Sequence, residues 1–191
     1  SEGHSKMTTE QLAEQERICW FEINGIDVQK KIINGKNSLV MPLVFHIHVK
    51  ENNNGGTIHL PLDLKKWCID DKAIPGEFPP YLEKINNELS KFMNKLSVSK
   101  INISKFKINL KQIAENAIRR CANSGWYHND LELRHIALYP IIKNGRIFKL
   151  KPILIDFEYA IKITNKEKAY KKMLKKIKEK FKECEDYTFI E

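Results

Sequence analysis

Two short stretches concentrate the side chains able to do acid–base or metal chemistry. Residues 126 to 139 read WYHNDLELRHIALY, with imidazoles at His128 and His135 and a carboxylate at Asp130. Residues 152 to 160 read PILIDFEYA, with carboxylates at Asp156 and Glu158. Carboxylates act as general bases and hold hard divalent ions through oxygen. An imidazole also binds divalent ions, but it suits manganese or zinc better than magnesium, which prefers oxygen ligands in strict octahedral geometry.

The elements around these residues are legible from spacing. A helix from about Leu110 to Asn123 turns Ile113, Ala117, Ile118 and Cys121 inward and ends at Gly125, immediately before His128. A short strand, Ile136 to Tyr139, follows the loop. After the Asn144-Gly145 turn, a second strand from Pro152 to Ile155 delivers Asp156.

This order of helix, loop, hairpin and acidic residue resembles the catalytic half of protein-kinase-like proteins, over about Trp126 to Ala160 only. His128, Asp130 and Leu131 match the H-x-D-L opening of a catalytic loop, and Asp156-Phe157-Glu158 stands where a kinase carries D-F-G. The resemblance implies that Asp130 is the catalytic base, His128 a brace of its loop, and Asp156 the main metal ligand. His135 stands at the position of the second metal-binding Asn and Glu158 at that of the glycine, so both become auxiliary metal ligands. Arg134 is assigned to phosphate contact, as is Lys31, which is chosen by location with Lys30 and Lys36 beside it. ATP and magnesium or manganese are the implied cofactors.

The rest of the kinase pattern is thin. There is no G-x-G-x-x-G, no V-A-I-K, and no activation segment with A-P-E after Ala160. Three functions follow. The first is a kinase-like phosphotransferase that binds a nucleoside triphosphate and a divalent metal. The second is a pseudokinase, the same fold kept as a protein-interaction module. The third is a basic nucleic-acid binder.

Composition bounds these readings. The 191 residues fit one domain or two small lobes, and 42% hydrophobic with 30% charged residues supports a packed core with a soluble surface. No apolar run is long enough to cross a membrane. Cys19, Cys68, Cys121 and Cys184 lie far apart and read as free thiols of a reducing compartment, which implies an intracellular protein. The nucleus, and the interior of a host cell reached by a secreted effector, are the other addresses considered. Much of the +9 net charge falls in an amphipathic helix near the C-terminus. Its apolar stripe is Tyr170, Leu174, Ile177 and Phe181, with Ala169 and Met173 beside it. The plain reading is a solvated lysine face, and a nucleic-acid partner would use Lys166 to Lys182.

The N-terminal half reads as β-rich. Residues 1–6 look like a cloning remnant. Residues 8–16 are helical in bias with Thr8 or Thr9 as cap, followed by a strand from Ile18 to Ile23. Asn24-Gly25 and Asn34-Gly35 mark turns of a meander. A long strand from Ser38 to Lys50 alternates cleanly, with Pro42 marking an edge or bulge. The NNNGG tip then returns the chain so that His59 faces His48; with His46 these histidines read as polar residues on a wet sheet face rather than a metal site. Residues 61–80 read as a linker and 82–96 as a helix, where Glu83 or Glu88 is the candidate partner of the phosphate-pairing lysine. The predicted architecture is α+β, a reduced two-lobed kinase-like fold. Residues 7–80 form the sheet and linker, and 81–191 form a helical part with the catalytic-type loop and basic helix.

Overall fold

Thr8 starts the first element by a reciprocal cap: its hydroxyl accepts the Gln11 N–H, and the Gln11 side chain accepts the Thr8 N–H at 2.8 Å. Helix α1 then runs over Thr9–Asn24 and stops where Gly25 takes the left-handed conformation at φ 69°. The expected strand from Ile18 to Ile23 is therefore the end of this helix. Cys19, Trp20 and Ile23 are buried while Phe21 is exposed, the spacing of one helix face rather than of an alternating strand. Asn24-Gly25 is accordingly a helix stop, not a hairpin turn.

The structure is a computed structural model that describes residues 7–42, 44–52, 55–59, 87, 103–144, 146–184 and 187–190. The linker expected over 61–80, Cys68, Glu83, Glu88 and, apart from residue 87, the helix expected over 82–96 lie outside the described residues. Strands β1 (Gln29–Ile33) and β2 (Lys36–Val40) pair antiparallel around the expected turn, with Asn34 and Gly35 both at positive φ. The long strand expected from Ser38 to Lys50 is broken at Met41-Pro42, since proline brings no N–H to a ladder. Its remainder divides into β3 (Phe45–His46) and β4 (His48–Asn52). Strand β4 pairs with β5 (Gly55–His59), and His48 faces His59 as the register required.

The second half supplies α2 (Ile103–Asn123), β6 (Trp126–Tyr127), a 3-10 turn at Leu133–His135, and the hairpin β7 (Ile136–Lys143) and β8 (Arg146–Leu154). Then come β9 (Ile161–Lys162), α3 (Lys166–Glu183) and β10 (Thr188–Ile190). Helices with small, mostly antiparallel sheets make this an α+β fold. Strands of the N-terminal half are completed by strands of the C-terminal half: β3 pairs antiparallel with β7, and β5 pairs parallel with β10.

One core joins these parts. Trp20 and Ile23 of α1, Phe45 and Ile47 around β3, Leu110, Ala114, Ile118 and Cys121 of α2, and Ile153 and Leu154 of β8 are all buried in it. Helix α3 adds Ala169, Tyr170, Met173, Ile177 and Phe181, whereas Leu174, expected on the same stripe, is only half buried; Lys171, Lys175, Lys178 and Lys182 are exposed. Among the described residues no helix is long and apolar enough to cross a membrane.

Candidate functional site

The loop that follows β6 is shaped by Asn129, whose φ of 62° reverses the chain between His128 and Asp130. His128 is fully buried and holds the turn from both ring nitrogens. Its Nε2–H donates to the Ile155 carbonyl at 2.9 Å, and its Nδ1 accepts the Asp130 N–H at 3.3 Å. These partners require the neutral ring, because protonating Nδ1 would set two donors against each other. Burial pushes the His128 pKa below its ordinary value of 6.5, in agreement with that geometry. One imidazole thus ties the Asp130 loop to the end of β8.

His135 makes a second tie. It ends the 3-10 turn, is 2% exposed, and stacks on His128 with ring centroids 5.3 Å apart. Its Nδ1 lies 2.6 Å from the Asp130 carbonyl oxygen, which only accepts, so Nδ1 carries the proton. The His135 backbone carbonyl in turn accepts the Ile155 N–H at 2.9 Å. The other ring nitrogen, Nε2, is buried, lacks an aligned hydrogen bond, and sits 3.2 Å from Asp156 Oδ2.

Asp156 itself is held in the left-handed conformation at φ 64°. For a residue other than glycine this costs roughly 1 kcal/mol or more, so its surroundings must impose it. They do so through α1. Glu16 accepts the Phe157 N–H at 2.7 Å and the Trp20 indole N–H at 2.9 Å. Gln15 Nε2 approaches the carbonyls of Phe157, Glu158 and Ala160 at 2.9, 3.0 and 3.2 Å. Phe157 is fully buried against Trp20, edge to face at 6.5 Å, and against the His128 ring at 5.5 Å. Burial raises the Glu16 pKa, while the Phe157 N–H acts the other way.

The structure therefore brings four of the seven candidate residues together: His128, Asp130, His135 and Asp156. The Asp130 carboxylate is partly exposed and makes no hydrogen bond or ion pair among the described residues. The Asp156 side chain is half exposed. Glu158 is exposed two residues along the same loop and contributes its carbonyl to Gln15. Arg134 is exposed and faces elsewhere, into a groove of about 280 Å³ with Glu51, Glu132, Lys180 and Tyr187; neither Asp130 nor Asp156 lines that groove. Lys31 is exposed on β1 and makes no ion pair among the described residues. Its neighbour Lys30 binds Glu14 of α1 at 2.5 Å.

Gln15 and Glu16 escaped the sequence reading because polar residues in an N-terminal helix look like a solvated face. The available signal was the helical spacing of Cys19, Trp20 and Ile23, which places Glu16 on the same face as these apolar residues. The described cysteines offer no nucleophile. Cys19, Cys121 and Cys184 are buried free thiols whose pKa values burial raises, that of Cys121 to about 12. No family profile, curated protein or solved structure matches this chain.

Proposed function

We propose that this protein is a kinase-like phosphotransferase that binds a nucleoside triphosphate with a divalent cation. The observation that carries this reading is the histidine network: two imidazoles lock the backbone of Asp130 to the strand end that presents Asp156. Phosphoryl transfer is chiefly positioning and charge neutralisation, so pre-set loops of this kind are the part of the catalyst a protein must build. The unpaired Asp130 carboxylate takes the proton of the acceptor hydroxyl. Asp156 and His135 hold the cation, with Glu158 as an additional carboxylate on the exposed side of the loop. The bound cation would neutralise phosphate charge. Arg134 and Lys31 are phosphate contacts only if nucleotide binding brings their elements toward the loop.

A pseudokinase is the second reading, and one observation favours it. An active kinase holds its phosphate-pairing lysine against a glutamate of a neighbouring helix, and among the described residues Lys31 makes no ion pair.

Thermal unfolding with ATP and Mg²⁺ or Mn²⁺ tests the reading. Ligand at 100 times its Kd stabilises by about 2.7 kcal/mol, a shift of several degrees. Asp130→Asn is expected to keep the shift and lose phosphoryl transfer, whereas Asp156→Asn loses both. A shift without turnover in the wild type assigns the pseudokinase, and no shift with any nucleotide refutes the phosphotransferase reading.

A further inference from the structure

The hairpin β1–β2 stands apart from the other sheets, with no third strand along either edge among the described residues. Two strands alone are marginally stable in water, so the hairpin depends on what holds its base. Lys30 and Leu39 are cross-strand partners on one face; Lys30 binds Glu14 of α1, and Leu39 is half buried against the core. The strand then continues for three residues, about 10 Å, to a tip that has no such support. There Ile32 and Ile33 are 75% and 50% exposed beside the Asn34-Gly35 turn, and Ile32 is the most exposed large apolar side chain among the described residues. Lys31 and Lys36 are exposed next to them and make no ion pair among the described residues.

The register decides what can cover this tip. Successive strand residues point to opposite faces, so Ile32 lies on the face of Lys30, while Ile33 lies on that of Lys31 and of its cross-strand partner Lys36. A protein groove that covered one isoleucine would leave the other in water. The interface of a lipid bilayer closes around a tip from all sides and covers both. Pairing two hairpins edge to edge would instead set the Lys31 and Lys36 of each copy near those of the other, which like charge opposes. The net charge of +9 likewise repels a second copy and draws the chain to an anionic surface.

We propose that the tip of the β1–β2 hairpin, Ile32 to Lys36, docks on an anionic phospholipid surface. The inference goes beyond the phosphotransferase reading and does not rest on it. Ile32 and Ile33 enter the boundary between headgroups and acyl chains, a layer about 5–10 Å deep that the free length of the hairpin can span. Lys31 and Lys36 lay their methylene stems along the isoleucines and keep their ammonium groups at the headgroup phosphates. The unpaired backbone groups along the edges of the hairpin stop it there, because hydrocarbon offers them no hydrogen-bond partner.

The test is cosedimentation of the full chain with vesicles of phosphatidylcholine, alone or with about 30% phosphatidylserine, in about 0.1 M salt. Binding to the anionic vesicles is expected to be at least about tenfold tighter than to the neutral ones. It should weaken at least about tenfold in the double variant Ile32→Ser/Ile33→Ser, whose net charge is unchanged. Lys36→Gln should weaken it by about fivefold. Ile33→Trp reads insertion directly, as a blue shift of its fluorescence on adding anionic vesicles that exceeds any change in the wild type. Both isoleucines are exposed and outside the core, so these variants should keep the wild-type unfolding midpoint. Three results would each overturn the inference: no vesicle binding, equal binding to neutral and anionic vesicles, or binding that survives Ile32→Ser/Ile33→Ser and is lost in Lys171→Gln/Lys175→Gln, which assigns it to the lysine face of α3. A concentration-dependent dimer abolished by Ile32→Ser/Ile33→Ser would also overturn it, in favour of a second copy of the chain.

Discussion

His128 is the side chain on which the Asp130 loop depends. Its two ring nitrogens join Asp130 to Ile155 in the neutral state, and its pKa is lowered by burial. The unfolded chain therefore binds more protons than the native one near pH 6. The stability this group contributes is present above its unfolded pKa of about 6.5 and is lost as pH falls through the lower folded value. Wild-type protein is expected to lose urea resistance between pH 7.5 and pH 5 in part through this ring. His128→Asn should cost about 1–3 kcal/mol at pH 7.5, because the Ile155 carbonyl or Asp130 N–H loses its buried partner. Urea midpoints of the two proteins across that range should converge toward pH 5. A gap that stays constant with pH would show that the native ring is not held neutral.

Helix α1 is the element that holds the second loop. The two neighbouring side chains Gln15 and Glu16 accept or donate nearly every backbone hydrogen bond given to residues 157–160 by a side chain, and Asp156 keeps its left-handed backbone beside them. Glu16→Ala leaves the Phe157 N–H and the Trp20 indole N–H without their acceptor, and is expected to destabilise by about 1–3 kcal/mol. Amide hydrogen exchange gives the more specific reading. Phe157 should lose most of its protection while the amides at the centre of α2 change only with global stability. Uniform loss across both would assign Glu16 to general packing instead. The helix is itself tied to its surroundings at two further points. Asn24 Nδ2 donates to the Leu154 carbonyl at 2.8 Å, and Glu14 binds Arg17 and Lys30, with the Arg17 hydrogen bond holding its pKa down to about 2.

Across the molecule, the division into a sheet-bearing half and a helical half meets strand pairings that cross it. Phe45–His46 completes the β7–β8 hairpin, Thr188–Ile190 lies along β5, and buried residues of both halves share one core. A fragment spanning 81–191 lacks α1 and β3, and with them Trp20, Ile23, Phe45 and Ile47 from the core. Each large apolar side chain removed from a core costs about 2–5 kcal/mol, against a total stability of about 5–15 kcal/mol. The fragment is therefore expected to melt without a cooperative transition, and circular dichroism should show that transition return when residues 1–80 are supplied. A sharp, independent transition in the fragment would instead show that 81–191 folds as a unit of its own.

Read alone, the chain disclosed what short-range rules govern. The Asn34-Gly35 hairpin, the His48–His59 register, helix α2 ending at Gly125, the β7–β8 hairpin and the buried stripe of α3 all follow from spacing and turn chemistry within a few residues. The run Ile18 to Ile23 was illegible because a short apolar stretch fits a strand or a helix, and the capping box that decides it begins ten residues upstream at Thr8. Only the tertiary structure decided that α1 would hold the Asp156 loop and that His135 Nε2 would face Asp156 Oδ2. Those contacts join residues 21 to 145 positions apart, and their geometry is set by the packing of separate elements on a common core rather than by any local preference of the chain.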